Sequence, residues 1–239
     1  LCRQIVACGP ESLLLLGRGE NSIFEIHREL ADDWSTAALE MIIADVRDRS
    51  RLKRVFAEYR PEVVFHAAAH KHVHLMEQHP DEAIKNNIFG TANIAEISLE
   101  TGVSVFVLIS SDKAVNPKSV YGATKKAAEY IVQDLSGEGK TKFVVVRFGN
   151  VIRSRGSIIP IFEKQIRNGG PVTVTHPEME RFFMSIPEAA YLVLQSGGVA
   201  LPGQVCVLDM GDPVKIIELA NHLIEEAGLV PGKDVAIKV

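Results

Sequence analysis

The chain has 239 residues, enough for one large domain or for a nucleotide-binding domain with a small appendage. It is 46% apolar and 23% charged without low-complexity tracts, and its net charge of −4 gives no basis for nucleic acid or a membrane surface as partner. Cys2, Cys8 and Cys206 are widely spread without CxxC spacing, which favours reduced thiols in the cytoplasm over a disulfide frame or zinc site, and the longest wholly aliphatic run, 13–16, is too short to span a bilayer.

Taken in chain order, "LCRQIVACG" reads as the later turns of a helix lacking a start signal, and "DVAIKV" at the other end as a strand leading onward. Both termini therefore read as truncated. Between them, short β-branched or leucine-rich runs alternate with helical patterns, the sign of βαβ units on a parallel sheet. The runs are 12–16, 41–46, 63–69, 105–111, 143–148 and 205–210; the helical segments are 21–30, 48–59, 81–101, 121–136, 158–169, 186–196 and 215–227. Asp48 and Asp81 are expected N-caps, and the glycine pair 169–170 an expected stop. Most runs are apolar on both faces, as in strands covered by helices on both sides. The expected fold is α/β, a doubly wound parallel sheet of Rossmann type, binding ligand at the carboxyl ends of its strands. A dinucleotide-binding domain is expected over 1–153 plus about 182–210, and a smaller, Gly- and Pro-richer substrate lobe over 154–181 plus 211–239.

A dinucleotide fold needs a glycine-rich turn after its first strand. None is present; if "LCRQIVA" is the end of the helix after that turn, the strand and turn are expected upstream of residue 1. An acid at the end of the second strand favours NAD and an arginine tolerates the 2′-phosphate of NADP; here "LLLLGRGEN" puts Arg18 there, which favours NADP, with NAD or a plain solvated arginine as the alternatives. Asp45 suits an adenine edge or a helix cap. Ala67, Ala68 and Ala69 allow close passage of a cofactor or close helix packing. Five histidines (His66, His70, His72, His74, His79) fall in one window, but their neighbours are Ala, Val and Leu with no matching acid or cysteine, so no metal is expected and His66 reads as a core or strand-end histidine.

Tyr121 and Lys125 stand one helical turn apart in "YGATKKAAEYIV". A tyrosine base needs about 4 kcal/mol of help near neutrality, which a neighbouring ammonium can supply. Ser111, at the end of the preceding strand, can bond the same substrate oxygen, and the set describes alcohol oxidation by hydride transfer. Asp112 and Lys113 add an acid and a second amine.

"SSDKAVNPKSVYGATKKAAE" resembles the extended short-chain dehydrogenase/reductase superfamily, and within it the UDP-N-acetylglucosamine 4,6-dehydratases of polysaccharide and glycan biosynthesis. The likeness continues through "ADVRD", "VFHAAAHKHVHLME", "NNIFGTANIAE", "RFGNVIRSRGSIIPIF" and "ERFFMSIPEA". It implies a lyase that oxidises carbon 4 of the hexosamine with NADP, eliminates water across carbons 5 and 6, and returns hydride to carbon 6. It implies Tyr121 as oxidation base, Lys125 tuning it, Ser111 orienting the hydroxyl, Lys113 as the carbon-5 base and Asp112 as the acid for the departing hydroxyl. The alternative for the last two is a simple ion pair at a strand end. Lys71 would lie beside the cofactor and substrate, Asn150 and Val151 would face the sugar, and Arg181 would neutralise the substrate diphosphate or lie solvated on the surface. Glu180 stands where relatives carry a small hydroxyl residue. A homo-oligomer is implied, with a small nucleotide-sugar as its substrate, freestanding in the cytoplasm or as the cytoplasmic domain of a membrane-anchored protein. A nucleotide-sugar 4-epimerase and a non-catalytic NADP-binding sensor are the competing readings.

Overall fold

The computed structural model describes residues 1–33, 38–154 and 156–239. The chain divides into two compact units, Leu1–Arg147 with Ala190–Leu208, and Phe148–Ala189 with Asp209–Val239. These divisions fall at 147/148, 189/190 and 208/209, against the expected 153/154, 181/182 and 210/211. Asn150 and Val151 pair with a strand of the second unit, which draws the first boundary forward.

The first unit runs α1 (Cys2–Val6), β1 (Ser12–Gly17), α2 (Glu20–Asp33), β2 (Ala38–Ile43), α3 (Arg49–Tyr59) and β3 (Val63–His66). It continues with α4 (Val73–Gln78), α5 (Pro80–Ala83), a π-helical turn (Ile84–Phe89), α6 (Gly90–Thr101), β4 (Val105–Ile109), a 3₁₀ turn (Asp112–Ala114), α7 (Val120–Leu135) and β5 (Lys142–Arg147). All its strand pairings are parallel: β1 with β2, and a four-stranded sheet whose last strand, Val205–Val207, lies beside β5, with β4 and β3 following.

Alternation along the strands covers both sheet faces. Phe106 and Leu108 of β4 are fully buried in one core with Ile94, Ala95 and Ile97 of α6, Ala128 and Val132 of α7, and Leu52, Val55 and Phe56 of α3. Leu14 and Leu16 of β1 pack on that same core, whereas Leu15 joins Val6, Ile23 and Leu30 on the opposite face. Each such side chain contributes about 1.5–3 kcal/mol. Val107 faces the other way, towards Gly197, where a Cβ would stand 3.1 Å from its methyl. That close approach lets the helix Ile186–Val199 run on through Gly197 and Gly198, three residues beyond the expected end.

Several boundaries differ from expectation for physical reasons. β2 occupies 38–43 rather than 41–46 because it pairs in register with Ser12–Gly17, leaving Ala44 and Val46 as buried core residues past the strand. Asp48 caps α3, accepting from the Arg51 N–H. Asp81 caps nothing. Pro80 starts α5, so His79 takes the cap position and Asp81 sits in the first turn. The single helix expected at 81–101 contains a π-helical turn, and α4 precedes it.

The second unit runs β6 (Asn150–Val151), α8 (Ile158–Arg167), β7 (Val172–Thr173), β8 (Glu180–Arg181), β9 (Phe183–Met184), α9 (Ile186–Val199, shared with the first unit), β10 (the Val205–Val207 strand of the first unit), β11 (Val214–Lys215), α10 (Ile216–Glu226) and β12 (Ile237–Lys238). α8 stops at Arg167, ahead of Gly169 and Gly170, both at positive φ. Its core joins Ile159, Phe162 and Ile166 of α8 to Ile216, Ala220, Leu223 and Ile224 of α10.

Candidate active site at the carboxyl end of β4

β4 delivers Ser110 and Ser111 to its carboxyl end, and the 3₁₀ turn follows at once. Ser111 caps that turn: its Oγ accepts from the Lys113 N–H at 3.3 Å and its hydroxyl donates to Asp112 Oδ1 at 2.9 Å. Lys113 Nζ donates to the same Oδ1 at 2.9 Å, so the ion pair weighed as the alternative for these residues is present. α7 begins beside this turn. Ser119 caps it through the Gly122 N–H, and Glu77 of α4 accepts from the Val120 N–H at 2.7 Å. Tyr121, in its first turn, packs on Met76 and Ala83.

Burial raises the pKa of the Tyr121 phenol; the neighbouring Ser111 hydroxyl pulls it down and the nearby Asp112 charge raises it, for a net rise. Lys125, one turn on, is buried, and its pKa is pushed down to about 8 by desolvation, against which Glu129 pulls up. Its Nζ donates to the Ile109 carbonyl at 2.7 Å, a tether to the end of β4.

Two supports were not legible as such in the sequence. Glu129, fully buried, accepts from Ser110 Oγ at 2.6 Å and from Arg147 Nε and Nη2 at 2.7 and 2.5 Å. Burial raises its carboxyl pKa, but Arg147 and then Ser110 overcome this and leave it lowered. The signal was available: Tyr121, Lys125 and Glu129 repeat at i, i+4, i+8 on one helical face. Asn87, inside the π-helical turn, clamps the backbone of residue 70, accepting from the His70 N–H at 2.8 Å and donating to its carbonyl at 3.0 Å, and also donates to Thr124 of α7 at 3.1 Å. π-Helical turns recur at functional sites.

The proposed cofactor residues form a separate group at the ends of β1 and β3. Ala67 and Ala68 are exposed just past β3, a surface of methyl groups. Arg18 stands 3.9 Å from Asp45, with half its side chain exposed. Asp45 is engaged by Arg47 through backbone N–H and guanidinium, which hold its carboxyl below the usual range, and the cap of α3 falls to Asp48 instead. Partial desolvation lowers the Lys71 pKa. His66 is the buried strand-end histidine expected, bonded to Thr91 Oγ1 at 2.9 Å; since Thr91 donates to the Asn87 carbonyl, His66 Nε2 is the donor. Among the described residues, no group of three or more His, Cys, Asp and Glu side chains could hold a metal, and no helix is long and apolar enough to cross a membrane.

Asn150, Val151 and Arg181 belong to the second unit. The Asn150 N–H donates to Phe182 O at 2.9 Å, and Arg181 Nη1 donates to the Glu180 carbonyl at 2.7 Å.

A doubly wound parallel sheet with serine, tyrosine and lysine gathered at the end of a central strand defines a Rossmann-type protein of the short-chain dehydrogenase/reductase kind. The chain belongs to the polysaccharide biosynthesis protein family, whose profile matches residues 1–239. It is 56% identical over 230 residues to the capsular polysaccharide biosynthesis protein CapD of Staphylococcus aureus, covering 95% of this chain and 38% of that protein. An inverting UDP-N-acetylglucosamine 4,6-dehydratase of Campylobacter jejuni is 34% identical, over 90% of this chain and 63% of its own. A UDP-glucose 4-epimerase of Rickettsia akari is also 34% identical, over 80% of this chain and 56% of its own. The solved structure of Pen from Bacillus thuringiensis matches with a TM-score of 0.91 and 32% identity, over 99% of this chain and 73% of that one. The chain thus spans about two fifths of CapD's length.

Proposed function

We propose that the chain carries the catalytic core of an NADP-dependent 4,6-dehydratase that converts UDP-N-acetylglucosamine to a UDP-4-keto-6-deoxy-hexosamine for polysaccharide or glycan synthesis. One observation carries the reading: a hydroxyl, a carboxylate and an amine (Ser111, Asp112, Lys113) are hydrogen-bonded in series at the end of β4, beside the Tyr121 phenol.

The residues fit a nicotinamide dinucleotide. The exposed methyls of Ala67 and Ala68 leave room for a close backbone, and the buried Lys125 ammonium gives a polar anchor behind Tyr121. Ala69 extends that methyl surface, Arg18 suits a 2′-phosphate and so NADP over NAD, and Asp45 and Lys71 border the same path. The dinucleotide supplies a hydride acceptor for carbon 4 and, later, the donor for carbon 6. Tyr121 takes the proton from the carbon-4 hydroxyl at its phenolate oxygen, and Ser111 orients that hydroxyl. Lys113, once its ammonium proton has passed to Asp112 across their 2.9 Å contact, removes the carbon-5 proton, and Asp112 delivers the proton it received to the departing carbon-6 hydroxyl. The substrate roles of Asn150, Val151 and Arg181 rest on sequence likeness.

The second reading is a nucleotide-sugar 4-epimerase. The similarity to an epimerase of equal identity favours it, but an epimerase has no evident use for Asp112 and Lys113. Incubation with UDP-N-acetylglucosamine and NADP in deuterium oxide separates the two. Dehydration gives a 4-keto-6-deoxy sugar labelled at carbon 5; a 4-epimer supports the second reading, and dinucleotide binding without turnover supports a sensor. Lys113→Ala should retain dinucleotide affinity and form no product; wild-type turnover in that variant removes lysine from its role.

A further inference from the structure

Two consecutive residues at the end of β4 are held by two consecutive turns of α7. The Ile109 carbonyl accepts from Lys125 Nζ at 2.7 Å, and the Ser110 hydroxyl donates to Glu129 Oε1 at 2.6 Å. A third element closes the arrangement. Arg147, at the end of β5, donates to both Glu129 oxygens, from Nε to Oε1 at 2.7 Å and from Nη2 to Oε2 at 2.5 Å. A bidentate guanidinium fixes a carboxylate in orientation as well as in charge. Glu129 thus fastens α7 to both strands, one turn beyond Lys125.

The roles assigned above do not use this carboxylate, although burying one is costly. Among the described residues, Glu129 is the one buried carboxylate and Lys125 the one buried lysine, and they stand at i and i+4 on one helical face. The hydrogen bond of Lys125 goes to a neutral carbonyl, so a buried ammonium there needs an opposite charge nearby or it sheds its proton. The Glu129 charge opposes the desolvation that lowers the Lys125 pKa. Other ionisable groups on the elements around α7 are neutral or taken. Burial keeps His66 of β3 neutral, Asp112 is paired with Lys113, and Glu77 of α4 accepts from the Val120 N–H. Asp81 and Glu82 bind Lys85, Glu96 and Glu100 of α6 bind Arg49, and Lys142 of β5 donates to the Gly198 carbonyl. Lys126, partly exposed, lies 3.5 Å from Glu129 itself.

We propose that Glu129 is a positioning residue for the oxidation step, keeping Lys125 charged and in register with the end of β4 that carries Ser111. It acts through Lys125, whose ammonium helps the Tyr121 phenol to ionise. The inference rests on the oxidation half of the proposed reaction, which a dehydratase and an epimerase share. Without the Glu129 charge, the Lys125 ammonium is left buried with the cations Arg147 and Lys126 on its own side of the helix and no anion, and it gives up its proton at lower pH.

The test follows the Lys125 titration in dinucleotide-free protein, through the ε-carbon shift of labelled lysine, with the signal identified by its absence in Lys125→Met. Glu129→Gln keeps the shape and removes the charge. It moves the titration down from about 8 by about one pH unit or more. The charged share at pH 7 then falls from about nine tenths to about half or less. The alkaline limb of single-turnover hydride transfer moves down by the same amount. Glu129→Asp keeps the charge but is a methylene too short to hold Ser110 and Arg147 together; it slows transfer while its lysine titration stays closer to that of wild type than to that of Glu129→Gln. Should Glu129→Gln fail to fold with Arg147 unpaired, Glu129→Gln/Arg147→Met removes both charges and moves the titration in the same direction. An unmoved Lys125 titration in the folded variant overturns the proposal and leaves Glu129 a brace of the fold, as does a shift in Glu129→Asp as large as in Glu129→Gln. Failure of the dehydratase reading shows separately, as a wild type that makes a 4-epimer or no product, because the lysine titration needs neither substrate nor turnover.

Discussion

Gly122 and Lys113 are in backbone contact across the site: a Cβ on Gly122 would stand 2.3 Å from the Lys113 carbonyl oxygen and 3.2 Å from Pro117 Cβ. No L side chain fits there, and the obstacle is main chain that cannot swing aside. The glycine sets how closely the start of α7, with Tyr121, approaches the turn that carries Asp112 and Lys113. Gly122→Ala is therefore expected to cost about 1–3 kcal/mol by overpacking. By shifting the turn, it should also lower turnover about a hundredfold. Thermal unfolding and single-turnover kinetics check the two effects; an alanine variant with wild-type kinetics would show that the spacing is not critical.

Asn87 holds the other wall. Both backbone groups of His70 depend on its amide, and the same amide reaches Thr124, between Tyr121 and Lys125. Asn87→Ala leaves a partly buried N–H and carbonyl without their partner, a loss of about 2–3 kcal/mol. Because residue 70 adjoins Ala69 and Lys71, dinucleotide affinity should fall about tenfold as well. Denaturant titration and dinucleotide binding measure these separately, and a variant that loses stability but not affinity would confine Asn87 to the fold.

His66 provides a pH signature. Burial, helped by the charge of Lys125, lowers its pKa from 6.5 to about 3. The unfolded chain therefore takes up a proton near pH 6.5 that the folded chain refuses until about 3. The folded state thus keeps its full stability above about pH 6.5 and loses up to about 1.4 kcal/mol per unit as pH falls. Between pH 7 and 5, wild type should lose about 2 kcal/mol more than His66→Asn, since the carboxylates are common to both. Parallel urea titrations at the two pH values decide it; equal losses would mean the buried imidazole does not resist protonation.

The sheet was legible because its strands are continuous apolar runs, and burial on both faces is what such runs record. Ser111, Asp112, Lys113 and Tyr121 were legible because they are close in sequence as well as in space. The supports were harder. Asn87 acts through the backbone of residue 70, a tertiary partner that no local pattern encodes, and the π-helical turn around it reads as ordinary helix. The two-residue strands of the second unit are too short to leave a period. The partner of Asp45 was also missed: Arg47, two residues on, binds it through both backbone N–H and guanidinium.

Lys125 is where stability and chemistry pull apart. Its ammonium is buried, with its pKa pushed from 10.5 to about 8, so below pH 8 the folded protein holds a charge it disfavours by up to about 3 kcal/mol. Lys125→Met removes that charge and keeps the apolar stem. The hydrogen bond to Ile109 is lost with it, which trims the gain. The variant should be more stable than wild type by about 1–3 kcal/mol at neutral pH and inactive. The sign follows from proton uptake: from pH 8 to about 10.5 the unfolded lysine is still protonated while the folded one is not, so wild-type stability rises through that window and the advantage of methionine disappears. A lysine kept at such a site against its own stability suits a charge needed by the phenol and the dinucleotide rather than by the fold. Denaturation of both proteins from pH 7 to 10.5 tests this directly, and a methionine variant that is destabilised at pH 7 would mean the tether to Ile109 outweighs the buried charge.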